Sequence, residues 1–101
     1  MKIILNVVFP TEKFNEFVRD GSAGQKLSRI LDELKPESVY FTGQESQRSA
    51  ILVVDLPEAS GIPALAEPWF LTFNAKVEFL VAMSPEDLAK AGLDELGKKW
   101  A

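Results

Sequence analysis

The stretch SVYFTGQESQRSAILVVDL, residues 38–56, decides the fold. Both of its ends are rich in β-branched and aromatic residues, and its middle is polar with one glycine. That pattern predicts strands over 38–42 and 49–56, joined by a turn at 43–47. Side chains alternate across a strand. Val39, Phe41, Ala50, Leu52, Val54 and Leu56 therefore fall on one face of the hairpin, and Tyr40, Thr42, Ile51, Val53 and Asp55 on the other.

Outward from the hairpin, each flank repeats one pattern, a strand beyond a helical segment. Residues 2–9 (KIILNVVF) predict a strand stopped by Pro10, with Ile3, Leu5, Val7 and Phe9 on one face and Ile4, Asn6 and Val8 on the other. Thr11 is a suitable N-cap for a helix over about 12–20. Asp20-Gly21-Ser22-Ala23-Gly24 interrupts it, and Ser22 with Gln25 has the form of a capping box opening a second helix over 23–35. In that second helix Leu27, Ile30, Leu31 and Leu34 make an apolar stripe. On the far flank, Ser60-Gly61-Ile62-Pro63 opens a helix whose stripe runs through Leu65, Ala66, Trp69, Phe70 and Phe73. Pro68 is expected to kink it and Asn74 to cap it in a left-handed conformation. KVEFLVAM, residues 76–83, alternates as a fourth strand. Ser84-Pro85-Glu86-Asp87 then starts a tail helix expected over 85–100, weakened by Gly92 and Gly97.

The order is β-α-β-β-α-β plus a C-terminal helix, which makes residues 1–101 a single α+β domain. Right-handed crossovers around a central hairpin place both helical layers on one face of a four-stranded antiparallel sheet, the ferredoxin-like sandwich. The opposite face is half apolar. Ile4, Val8, Tyr40, Ile51, Val53 and Leu80 mingle there with Asn6, Thr42, Asp55 and Glu78. A solvated sheet face is normally polar, so a cover is expected. A second copy of the chain is the expected cover, and the tail helix with Trp100 is its rival.

Composition excludes much chemistry. The 101 residues contain no Cys and no His. Disulfides, thiolate nucleophiles, zinc–thiolate centres and any His-based triad or metal site cannot be built. Eleven basic and fifteen acidic residues give a net charge of −4. The pI is about 4.8. Such a surface repels phosphate, so neither nucleic acid nor an anionic membrane is an expected partner. No cofactor is expected. The apolar run Ile3–Phe9 is broken by Asn6 and followed by Pro10, which reads as a strand and not a leader; a cytoplasmic location is the expectation.

With KPESVYFTG, IPALAEPWFLTFNA and MSPEDLAKAGLDEL in place, the chain resembles the dimeric α+β barrel superfamily, and within it a family of small bacterial proteins. The resemblance implies two ferredoxin-like sheets facing each other in a homodimer. It implies no activity. Several enzymes of that superfamily use a cavity His, which this chain lacks, so no catalytic residue carries over.

The polar residues of the second sheet face form the candidate ligand-binding set: Asn6, Tyr40, Thr42, Asp55 and Glu78. Two readings are open. They orient a small molecule against apolar walls, or they pair across a dimer interface. A variant of the first makes the protein a cofactor-free isomerase or lyase with Glu78 or Asp55 as base. Arg48 is read as paired with Glu45 or an acid of another strand, or as free in solvent, with bidentate clamping of a ligand carboxylate as the other possibility. Trp69, Phe70 and Phe73 are read as core, with a pocket beside Pro68 as the other possibility.

Overall fold

Alternation places a continuous apolar face on every strand, and the computed structural model, which describes residues 1–101, joins these faces into one sheet. The strands are β1 (Lys2–Val8), β2 (Ser38–Gln44), β3 (Gln47–Asp55) and β4 (Lys76–Ala82). They pair antiparallel in the order β2-β3-β1-β4. Each crossover skips one strand: β3 lies between β1 and β2, and β1 lies between β3 and β4. This interleaving is the split βαβ arrangement expected from the sequence.

Register fixes the faces. Leu5 opposes Leu52 on one side and Phe79 on the other, and Leu52 in turn opposes Val39. The helices α1 (Thr11–Arg19), α2 (Ala23–Leu34) and α3 (Ile62–Phe73) cover this face. Phe14, Ile30, Leu65, Trp69 and Phe73 from the helices meet Ile3, Leu5, Val7, Leu52 and Val54 from the sheet, with Phe9 just past β1, in one core. Aromatic rings dominate it. Phe9 meets Phe14 and Phe73 edge-on, each with ring centroids 5.0 Å apart. Contacts of this kind add about 0.5–1.5 kcal/mol each beyond burial. Trp69 and Phe73 are fully buried, so they are core and line no pocket. Phe70, at the edge of that helix face, is exposed. The core does not reach the sheet margins: Phe41 and Val81 share its face yet lie exposed.

Local signals act mostly as expected. Asn74 ends α3 at φ 55°. The same helix carries Pro68 in its interior. The Ser22 capping box does not form. Instead the Ser22 backbone N–H donates to Asp20 Oδ1 (2.8 Å), and Lys26 Nζ donates to the Ser22 hydroxyl. The Asp20 carboxylate, bonded to Ser22, is held below its ordinary pKa. The expected N-cap Thr11 is already helical, with Pro10 in the cap position.

Two corrections concern turns. The hairpin turn is tighter than 43–47. Only Glu45 and Ser46 lie between the strands, both with positive φ (52° and 59°). This is the backbone of a type I′ turn, whose twist suits adjoining strands. The tail is two helices, not one: α4 (Pro85–Lys90) and α5 (Leu93–Lys99), separated by Gly92 at φ 73°. Glycine enters that left-handed conformation without steric cost. The α4 start has the full capping box, with Ser84 Oγ accepting from the Asp87 N–H and Asp87 Oδ2 accepting from the Ser84 N–H.

Candidate functional site

The second sheet face is built by the strand residues left over from the core. Its side chains form rows across the strands. One row runs Tyr40–Ile51–Asn6–Glu78, through the pairs Tyr40↔Ile51, Asn6↔Ile51 and Asn6↔Glu78. Three of the five candidate residues thus share one line. Strands lie about 4.8 Å apart, so Tyr40 and Glu78 stand roughly 14 Å from each other. The next row toward the hairpin is Thr42–Ser49–Val8–Lys76, and the next toward the other end is Ser38–Val53–Ile4–Leu80. Asp55 lies one row further out, opposite Lys2. It is exposed, and its Oδ1 takes a hydrogen bond from the Met1 amino group at 3.0 Å. The structure therefore groups Asn6, Tyr40 and Glu78, keeps Thr42 beside them, and sets Asp55 apart at the open end.

Asn6 already has a partner. Its Nδ2 donates to Gln44 Oε1 at 2.8 Å, and Gln44 Nε2 donates back to Asn6 Oδ1 and to the Ser49 hydroxyl. Ser49 is the one polar residue among the fully buried set. Gln44 therefore anchors the polar corner of the face. Gln44 falls within the turn expected from sequence at 43–47. The tight Glu45-Ser46 turn extends β2 by two residues and so brings Gln44 onto the sheet.

Glu45 folds back toward Lys76, closing an ion pair at 3.6 Å. Asn6, Val8, Glu45, Lys76, Val77 and Glu78 line a cavity of about 150 Å³. Glu78 is exposed at its wall and makes no ion pair of its own. Beyond this corner the face is open and apolar: Tyr40 is 70% exposed, with Ile51 and Leu80 also uncovered.

Arg48 pairs with neither Glu45 nor any other acid. Its guanidinium donates to Asn15 Oδ1 (2.9 Å) and lies 4.7 Å from the Phe14 ring centre, so it fastens the hairpin to α1. A second concavity of about 760 Å³ lies between α1, α2 and α3, with Lys13, Lys26, Arg29, Glu67 and Pro68 among its lining residues. This is the cleft beside Pro68, and Trp69 takes no part in it. Two of its cations are engaged: Lys13 with Glu16 at 3.6 Å, and Lys26 with Ser22 and the Phe17 ring.

Fold and site together define an α+β sandwich of the ferredoxin-like type with one half-apolar, uncovered sheet face. No helix is long and apolar enough to cross a membrane. No protein-family model matches the chain, and the search of curated proteins returns no match.

Proposed function

We propose that the protein is a homodimeric binding module of the dimeric α+β barrel type, which holds a small molecule between two facing sheets. The observation that supports this reading is the uncovered second face, where Tyr40, Ile51 and Leu80 are exposed around the polar residues Asn6 and Glu78. Apolar walls with a few fixed polar groups are the usual make-up of a ligand pocket. The cavity on this face, about 150 Å³, falls short of the roughly 300–1,000 Å³ of typical ligand sites. A second sheet laid over the first would supply the missing wall. In this reading Asn6 and Tyr40 orient the ligand, Thr42 borders the pocket, and Asp55 marks its outer edge.

One observation favours a catalytic variant. Glu78, though exposed, stands on the cavity wall and makes no ion pair. A carboxylate so placed can take a proton from a bound molecule, as a cofactor-free isomerase or lyase requires. Asp55, exposed and paired with the Met1 amino group, suits that role less.

The test is the native mass of purified protein under gentle ionisation. A dimer that retains extra mass supports the binding module, and Tyr40→Ala together with Asn6→Ala should release that mass while leaving the dimer intact. Retention of the same mass by both variants would place the ligand elsewhere.

A further inference from the structure

Nothing in the protomer covers the C-terminal arm. Every residue from 85 to 100 is exposed, including Leu88, Leu93 and Leu96, and Trp100 is 76% exposed. The two arm helices have six and seven residues. Isolated helices shorter than about 12–15 residues are marginal in water, so these need packing that the protomer does not provide. The shape agrees. The long axis is 59 Å against 27 and 20 Å, and the radius of gyration is 17.0 Å, where a compact chain of this size has about 13 Å. The arm projects away from the body.

We infer that the arm docks on a second copy of this chain, reciprocally, and closes over the partner's Tyr40–Ile51–Asn6–Glu78 row. The inference rests on the dimer reading above and adds that each pocket is incomplete without the other copy's arm. Reach fits: thirteen helical residues at about 1.5 Å each give roughly 20 Å, enough to cross the roughly 14 Å between the outer two of four strands about 4.8 Å apart. Charge fits too. On and around the sheet face Lys2 is taken by Glu37, the Met1 amino group by Asp55, and Lys76 by Glu45, which leaves Glu78 as the carboxylate without a cation. On the arm Lys98 is taken by Glu95, whereas Lys90 pairs with no acid and Lys99 lies 5.3 Å from the Trp100 ring. The arm carries four acids and three lysines, and of these Lys90 is free to meet Glu78, while the Trp100 ring is free to meet the exposed Tyr40. The Ser84–Asp87 capping box fixes the course of α4 as the chain leaves β4, and that course leads outward, not back across the arm's own sheet. A two-fold axis then satisfies both arms and both faces with one contact.

The absence of native Cys makes the test direct. Chains carrying Ala101→Cys are mixed with chains carrying Tyr40→Cys and treated with a short bis-maleimide. The control replaces the second chain by Ala64→Cys, an exposed position on the helical side. The expected product is a linked pair of unlike chains, about tenfold more abundant than in the control. Leu96→Glu, at a site exposed in the protomer, should weaken the dimer about tenfold, equivalent to ~1.4 kcal/mol. If the wild type is a dimer and the Cys-bearing chains link no better than the control, the arm placement is overturned and the sheet-face dimer stands. Linkage within single chains of an Ala101→Cys/Tyr40→Cys double variant also overturns it, by placing the arm on its own sheet. A monomeric wild type removes the dimer itself.

Discussion

Gln44 shows how much one amide can organise. It pairs with Asn6 in both directions and also satisfies the buried Ser49 hydroxyl. Gln44→Ala leaves these groups without partners, and an unsatisfied buried polar group costs about 1–3 kcal/mol. Urea unfolding should show a loss of that size, with Gln44→Glu intermediate, and an unchanged midpoint would mean that water replaces the amide at no cost. A second residue-scale expectation concerns pH. The Ser84 backbone N–H bonded to the Asp87 carboxylate, helped by the Ser84 hydroxyl, holds this acid below its ordinary pKa. A pKa lowered by folding contributes stability that is present above the unfolded value, near 3.8, and is lost as pH falls through the folded one. The first turn of α4 should therefore fray below that range, and Ser84→Ala should move the Asp87 titration upward. Carboxylate chemical shifts followed through an acid titration measure both. Lys2 shifts in the opposite sense, raised chiefly by its hydrogen bond to Glu37.

Among the elements, the strands were the most legible in sequence. Alternation placed Ile3, Leu5, Val7, Leu52, Val54 and Phe79 on one face, and the register gives that face. Period-two patterning is dictated by backbone geometry alone, so it survives without knowledge of the neighbours. Turns were less legible, because Glu45-Ser46 adopts positive φ without the Asn-Gly or Asp-Gly signal of such turns. That gap hid Gln44. Arg48 was misplaced because its partners, Asn15 and Phe14, are brought near by tertiary packing and not by sequence spacing. The candidate site was legible as a face but not as a row: Asn6, Tyr40 and Glu78 align only once strand order is known. The tail also misled, since a four-residue recurrence through Leu88, Gly92, Leu96 and Trp100 suggests one helix, whereas Gly92 divides it. A Cβ at Gly92 would meet nothing within 4 Å, so the residue acts through its backbone. A left-handed Ala costs about 1–2 kcal/mol, and Ala gains about 1 kcal/mol over Gly within a helix. Gly92→Ala should fuse α4 and α5, seen as increased far-ultraviolet helicity. Unchanged helicity would show that other contacts hold the break.

At the scale of the whole molecule, one protomer leaves two apolar surfaces uncovered: the second sheet face and the arm. Both lie outside the aromatic core, where Trp69, Phe9 and Phe73 are almost wholly buried. Stability of the sandwich and assembly of the proposed dimer should therefore be separable. Ile51→Lys and Val53→Lys place a charge on the second face without touching the helix-packed side, so they should abolish assembly while keeping near-native secondary structure. The most direct measurement is sedimentation velocity of the wild type beside Ile51→Lys at matched concentration. The expected result is a wild-type species of twice the 11.2 kDa chain mass and a variant at the single-chain mass with an unchanged circular dichroism spectrum. A wild type that sediments as a single chain, or a variant that remains paired, would contradict assembly through the sheet face.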